Sequence, residues 1–250
     1  ERCGLQTVID ATPADCGRNM AFLKAVSERT GVHIVASSGY YYEGEGAPAY
    51  FKFRMAYGDA PEEIYQMMRR EVTEGVGDTG IRTGVLKVAT SAGRITDYED
   101  LFLRAAARVS AETGTRIITH TQAGTMGSEQ ARRLISYGAK PEHIMIGHLD
   151  NCTDMDELLK IFEQGVYGGF DRLGIQGFTG GRRSWAWRAA ATPISSSSPT
   201  TASSACWATP GSTRSRTLRT WPTGTGPTSL RTSSPGSRRW GSARSRPRPW

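Results

Sequence analysis

Short apolar segments alternate with longer amphipathic segments through the first 181 residues of the chain. Strands are predicted at 7–12, 33–39, 85–90, 116–121, 144–149 and 166–171. Helices are predicted at 19–31, 61–75, 98–114, 128–138 and 155–165, where apolar residues recur at intervals of three and four. Repeated β-then-α units predict a parallel sheet covered by helices. Since eight such units close a barrel, the predicted fold class is α/β, part of a (β/α)8 barrel.

The end of the chain has a composition unlike that of the part before it. Residues 182–250 contain no Asp, Glu, Lys, Phe, Tyr, Val, Met, Asn, Gln or His, yet they hold all six tryptophans and twelve arginines. A segment rich in Ser, Thr, Arg, Pro and Gly cannot bury enough apolar surface to offset the entropy of ordering. We therefore divide the chain into a partial barrel at 1–181 and a low-complexity tail at 182–250, predicted to be disordered or non-native.

The net charge of +7 is positive only because of the twelve arginines in this tail. Without the tail's arginines, 19 basic residues face 24 acidic residues. A basic protein normally suggests nucleic-acid or membrane partners, but the first 181 residues do not support either. An Arg/Trp-rich arm for nucleic acid or an anionic membrane is the less favoured alternative for the tail, because such arms usually contain lysine as well.

Other features of the sequence bear on the cellular location of the protein. No run of about 18 apolar residues exists, so no membrane span is predicted. The chain opens without a secretory signal, and its four cysteines are scattered without a CxxC pair. These features predict a cytoplasmic protein.

Chemically active side chains lie at the ends of successive predicted strands. They are Lys87 in "VLKVAT", His120 in "ITHT", His148 in "IGHL", and Asp171 and Arg172 in "GFDRLG". The carboxyl ends of parallel barrel strands share one face, and that face holds the active site. Two histidines on adjacent strand ends suit zinc or a similar metal, which binds the neutral imidazole.

Other interpretations of these residues stay open. A lysine inside an apolar strand is costly unless it is neutralised or paired, and Asp171 or Asp10 could provide the paired carboxylate. A single histidine at a strand end is more often a hydrogen-bonded structural residue than a ligand, and we assign His33 and His143 to that class.

Four motifs, read in chain order, resemble the phosphotriesterase family of the amidohydrolase superfamily. They are "TVIDATPADCGRN", "GIRTGVLKVAT", "ITHTQAGTMGSEQ" and "IGHLDNCTDMDELLKIFEQGVYGGFDRLG", and the resemblance runs from Leu5 to about Gly181. It implies a (β/α)8 TIM barrel, of which this chain carries about strands 2 to 7. It also implies two divalent metal ions, usually zinc. These ions activate a water molecule that attacks a small-molecule ester, lactone or phosphotriester.

The resemblance also implies roles for five residues. Lys87 would be the carboxylated, catalytic lysine that bridges the two metals, and His120 and His148 would bind the more exposed metal. Arg172 resembles an arginine that lies near the substrate in the lactonase-like branch. Tyr41, in a run of three tyrosines, falls where that branch carries a site tyrosine. No nucleic-acid or membrane partner is expected, and a homodimer is left open.

Two parts of the family pattern are not found in the sequence. The first strand, with a His-x-His pair, would lie before Glu1, and the eighth strand, with a catalytic aspartate, would lie near 190–205. A Leu-Ser-His-Asp segment read one base out of frame can give Ser-Pro-Thr-Thr, the string found at Ser198, Pro199, Thr200 and Thr201. We therefore expect a truncated barrel whose sequence after about Gly181 is frameshifted, and a chain with impaired activity. The alternative from another class is a non-catalytic barrel used for binding or as a scaffold.

Overall fold

The computed structural model describes residues 4–172 and 206–208. These residues form one sheet of seven strands with helices packed against it. The strands are β1 (Thr7–Asp10), β2 (His33–Gly39), β3 (Val85–Thr90), β4 (Arg116–Thr121), β5 (Ile144–Ile146), β6 (Tyr167–Phe170) and β7 (Cys206–Ala208), and they follow one another in chain order. The first six run parallel and form a curled half-barrel, which confirms the predicted α/β class and partial barrel.

Six helices connect the parallel strands. They are α1 (Met20–Thr30), α2 (Ala49–Ala56), α3 (Ala60–Thr73), α4 (Asp97–Thr113), α5 (Gly127–Ser136) and α6 (Met155–Glu163). Side-chain caps begin three of them: Asn19 accepts from the third helical N–H of α1, Thr96 forms a capping box with Glu99, and Asp154 caps α6. The five predicted helices correspond to α1, α3, α4, α5 and α6, whereas α2 was not predicted.

The core lies between the sheet and helices α3 to α6. Its fully buried side chains include Ile64, Met68, Leu86, Leu103, Ile117, Leu134, Ile144, Ile146 and Ile161. Strands β3 and β4 form the centre of the sheet, with six aligned residue pairs from Val85↔Arg116 to Thr90↔Thr121. All six residues of β3 are buried. This pairing sets the relative positions of the ends of β3 and β4, where the loops that follow them begin.

Three predicted strands extend further than the observed ones. The predicted segments 7–12, 144–149 and 166–171 shorten to β1, β5 and β6. In the second of these, pairing stops before His148, which adopts a left-handed backbone with φ 61°. His148 therefore lies two residues beyond the end of β5, and Asp171 lies one residue beyond the end of β6.

The tail falls almost entirely outside the described residues. Of residues 182–250, only β7 is described, and it pairs with β6 in the antiparallel direction, opposite to the parallel pairing of a (β/α)8 barrel. The predicted disordered or non-native tail is thus not tested. Within residues 4–172, no helix is both long and apolar enough to cross a membrane.

Candidate functional site

The carboxyl ends of β3, β4 and β5 bring three of the predicted residues to one rim of the half-barrel. The ring centroids of His120 and His148 lie 4.5 Å apart at an interplanar angle of 76°. On the other side, the Nδ1 of His148 forms a 2.7 Å hydrogen bond with the Oδ1 of Asp171. The charge of Asp171 also acts on Lys87. These side chains therefore form one cluster, as the strand-end pattern predicts.

Lys87 is a buried amine with little hydrogen bonding. It is 5% exposed, and its Nζ donates to the carbonyl oxygen of Thr119 at 3.3 Å. Burial lowers its pKa to about 8, against the opposing effect of the Asp171 carboxylate. Asp10, the other suggested partner, instead accepts hydrogen bonds from the backbone N–H and hydroxyl of Thr12. Roughly a tenth of an amine with this pKa is neutral and nucleophilic at pH 7.

His120 is a neutral imidazole at physiological pH. It is 1% exposed, and burial lowers its pKa to about 3, with a further lowering from His148, Lys87 and Arg172. Its Nε2 lies 2.8 Å from the Oε1 of Gln122, an acceptor that places the ring proton on Nε2 and leaves Nδ1 as the base. For His148, the carboxylate of Asp171 in the same way places a ring proton on Nδ1.

Two tyrosines of the loop after β2 cover His120. The hydroxyl of Tyr41 lies 3.3 Å from the Nε2 of His120. The ring of Tyr42 stacks on His120 at 5.7 Å and 11°. Burial raises the pKa of Tyr41, and the positive charge of Arg172 opposes that rise, so the predicted tyrosine and arginine lie within electrostatic range of each other. We name Tyr41 and Tyr42 the aromatic wall.

Asp150 fixes the segment that carries Asp171 and Arg172. Its buried carboxylate oxygen Oδ1 accepts from the backbone N–H of Asp171 at 3.1 Å and of Arg172 at 3.2 Å. Sequence reasoning did not single out Asp150, Gln122 or Tyr42. Two of them follow a predicted ligand by two positions, Gln122 after His120 and Asp150 after His148.

The described side chains fit a metal only in part. Neutral His120 beside His148 suits a divalent cation, but among residues 4–172 no three His, Cys, Asp or Glu side chains are grouped to hold one. A third ligand would have to come from Lys87, whose ammonium form cannot bind a metal. His33 and His143 lie at the opposite ends of β2 and β5, away from this rim. Cys16, which is exposed, and Cys152 are free thiols.

The fold and the strand-end cluster define an α/β-barrel protein with a polar site at the carboxyl rim of its sheet. Residues 2–182 match the model of the phosphotriesterase family, and this chain belongs to that family. A phosphotriesterase homology protein of Escherichia coli (strain K12) is 34% identical over 172 residues, which cover 68% of this chain and 57% of that protein. An aryldialkylphosphatase of Saccharolobus solfataricus is 34% identical over 176 residues, with 70% and 54% covered.

Solved structures of organophosphorus hydrolases are also similar to this chain in sequence and fold. The organophosphorus hydrolase from Deinococcus radiodurans is 55% identical, with a TM-score of 0.72 over 75% of this chain and 57% of that one. A weak promiscuous lactonase template engineered for organophosphate hydrolysis is 54% identical, also with a TM-score of 0.72, over 75% and 59%. This chain therefore spans about half the length of the curated relatives it matches.

Proposed function

We propose that this chain is part of a metal-dependent hydrolase that cleaves a lactone, carboxyl ester or phosphotriester. The observation that carries the proposal is the cluster of neutral His120, His148 and low-pKa Lys87 on one rim. When bound, two divalent ions, zinc by the family resemblance, would polarise the carbonyl or phosphoryl oxygen of the substrate and lower the pKa of a water. The names of the relatives agree with ester hydrolysis.

Lys87 would become a metal ligand by carboxylation. Its neutral amine would attack the carbon of CO2: a C–N bond would form, one C=O π bond would break with its electron pair moving to oxygen, and the nitrogen would lose a proton to solvent. The product carries a carboxylate in place of an ammonium, so the buried side chain would offer two anionic oxygens to the metals. The pKa of about 8 supports this step because it supplies the neutral amine at physiological pH.

His120 and His148 would hold the more exposed metal through the ring nitrogens that carry no proton. Gln122 and Asp171 would keep each ring in the required tautomer through the hydrogen bonds at 2.8 Å and 2.7 Å. Such outer hydrogen bonds orient the ligand and make it more basic, which strengthens binding of the cation.

Arg172 and Tyr41 support a lactone or carboxyl ester as the main substrate, with phosphotriester cleavage as a side reaction. The backbone N–H of Arg172 is held by Asp150, and the charge of Arg172 acts on Tyr41 of the aromatic wall. A cation here can neutralise charge that develops on an oxygen of the opening ester.

The test compares a frame-corrected version of this protein and its Lys87→Ala variant on a lactone and on a paraoxon-like phosphotriester, with added zinc and with a chelator. We expect zinc-dependent turnover, preference for the lactone, and loss of at least about a hundredfold in the variant. Activity that changes with neither the chelator nor the substitution would come from a contaminating enzyme. That result would favour a non-catalytic barrel used for binding. Preference for the phosphotriester would contradict the substrate assignment alone.

We also propose that the sequence after about Gly181 is a frameshifted reading of a normal barrel end. The family match ends at residue 182, where the composition changes. Sequencing the underlying DNA tests this: one base inserted or deleted near codon 181 should restore acidic and aliphatic residues. A tail that is intact in frame, with selection on its third codon positions, would contradict it. In the frameshift case, turnover by residues 1–250 should fall more than tenfold below that of the corrected enzyme, because the catalytic aspartate is missing.

A further inference from the structure

The segment that carries the aromatic wall is held by two carboxylates from different parts of the fold. The backbone N–H of Tyr41 donates to both oxygens of Asp15, each at 3.0 Å. The backbone N–H of Glu43 donates to the Oε1 of Glu99 at 3.1 Å. Tyr42 lies between these two attachments. Asp15 follows β1 and Glu99 lies in the first turn of α4, so neither belongs to the segment that it holds.

This attachment determines where both rings lie. Tyr41 and Tyr42 contact the same imidazole, one through its hydroxyl at 3.3 Å from Nε2 and the other by parallel stacking. Tyr42 is 7% exposed, so its ring is part of the packed interior of the rim. A shift of the backbone at 41–43 would therefore move both rings away from His120 together.

Glu99 makes more hydrogen bonds than a helix cap requires. Its Oε2 accepts from the N–H of Thr96 at 2.9 Å and completes the capping box of α4. Its Oε1 accepts from the N–H of Glu43 and from both the N–H and the hydroxyl of Ser91. Ser91 follows the last residue of β3, the strand of Lys87. The fully buried Glu99 therefore joins the loops after β2 and β3.

We propose that Asp15 and Glu99 are positioning residues that hold Tyr41 and Tyr42 against His120. Through them, the rim keeps the aromatic wall in place before a substrate arrives. The functional meaning of the wall rests on the proposed function, but the attachment itself does not. Hydrogen bonds between a carboxylate and a backbone N–H are among the stronger ones in proteins, so each attachment restricts the segment appreciably.

The test is hydrogen exchange at residues 40–46 in the full chain, with Glu99→Ala compared against Thr96→Ala. Both substitutions weaken the cap of α4, but only the first removes the attachment at Glu43. We expect the Glu43 amide to exchange about tenfold faster, or more, in Glu99→Ala and to change less than about twofold in Thr96→Ala. An equal increase in both variants, or none in Glu99→Ala, would show that Glu99 only caps the helix and would overturn the proposal.

Two further variants keep the result decisive if Glu99→Ala fails to fold. Asp15→Ala affects no α-helix cap, and it should speed exchange of the Tyr41 amide by about tenfold. Glu99→Gln keeps one acceptor oxygen, which should face the three donors of Glu43 and Ser91 and not the single N–H of Thr96, so exchange at Glu43 should stay slow. Slow exchange at Tyr41 in Asp15→Ala, or fast exchange at Glu43 in Glu99→Gln, would contradict the proposed attachments.

Kinetics on a lactone separate this proposal from the proposed function. Glu99→Ala should raise KM by about fivefold or more with a smaller change in kcat, and Thr96→Ala should change neither. These kinetics use the frame-corrected protein: complete absence of its turnover would count against the proposed function, while the exchange experiment on the full chain would still decide the attachment. Unchanged KM in an active Glu99→Ala variant with fast exchange would overturn the role of the attachment in substrate binding.

Discussion

The centre of the sheet and its carboxyl rim are held together by different interactions. Strands β3 and β4 are stabilised by apolar burial on both faces and by six aligned residue pairs. The rim loops are held by carboxylates that accept from backbone N–H groups: Asp15 from Tyr41, Glu99 from Glu43 and Ser91, and Asp150 from Asp171 and Arg172. Burial is shared among many residues, whereas each directional bond holds one loop. Substitutions in the centre should therefore mainly lower stability, whereas substitutions of the rim carboxylates should mainly change the geometry of the site.

Leu103→Ala should have the largest effect on stability. The side chain is fully buried in α4, and its loss leaves a cavity in the core, which costs about 3 kcal/mol. Urea unfolding measures the change, and Leu159→Ala on the exposed face of α6 is the matched control, with a change below about 0.5 kcal/mol. Similar losses in the two variants would contradict the assignment of Leu103 to the core.

Lys87→Met should raise stability and abolish function, because Lys87 belongs both to the buried strand β3 and to the site cluster. In the metal-free protein the substitution replaces a buried amine, with one 3.3 Å hydrogen bond, by an apolar side chain of similar length. We expect stability to rise by about 1–3 kcal/mol and zinc-dependent turnover to disappear. Unfolding in the presence of a chelator measures the first effect, and the lactone assay measures the second. A destabilised variant would indicate that Lys87 supports the fold.

Asp150→Ala tests whether one rim carboxylate acts locally. It leaves the N–H groups of Asp171 and Arg172 without their acceptor, at a cost of about 1–2 kcal/mol. Zinc affinity should also fall, because Asp171 orients His148. Calorimetric titration with zinc gives the affinity, and Asp156→Ala, at an exposed position of α6, is the control. Equal zinc affinity in the two variants would show that Asp150 does not help to position the zinc ligands.

The smallest effect is expected for a carboxylate that lies in neither region. Hydrogen bonds from Arg132 and Arg133 lower the pKa of Glu129 to about 2 from an ordinary value of 4.5. The charged form is therefore favoured in the folded state. This contribution to stability is complete above about pH 4.5 and is lost as the pH falls towards about 2. Glu129→Gln should show a smaller loss of stability over that interval, by less than about 1 kcal/mol because the pair is partly exposed. Urea midpoints between pH 6 and pH 3 measure the difference, and parallel curves would contradict the assignment.

The centre could be predicted from the sequence more fully than the rim. Strands β2, β3 and β4 were predicted to the residue, because each is an apolar run with clear flanking polar or glycine residues. Strand β5 was predicted too long, since nothing in "GHL" indicates the left-handed backbone of His148. Helix α2 was missed because it buries only Phe51 and exposes Tyr50 and Phe53, so it lacks an apolar stripe.

Clustering of the site residues followed from strand order alone, but their supports did not. A parallel sheet brings successive strand ends together, whatever the loops contain. The supporting contacts depend on loop conformation: Asp150 reaches residues 21 and 22 positions away, Asp15 reaches one 26 positions away and Glu99 one 56 positions away. No periodic pattern encodes such pairs. The roles of Lys87, His120, His148, Arg172 and Tyr41 in binding and catalysis stay predictions.

The close approach of β2 and β3 limits how this site can be changed by mutation. Gly39, the last residue of β2, has φ 129°, and a methyl group built on it would overlap the backbone carbonyl of Lys87. It lies two residues before Tyr41, the first residue of the aromatic wall. Variation at Gly39 would therefore displace the strand of Lys87 before it altered the wall. In directed evolution, accepted changes in substrate preference should accumulate from position 41 onwards, with Gly39 retained in every active variant.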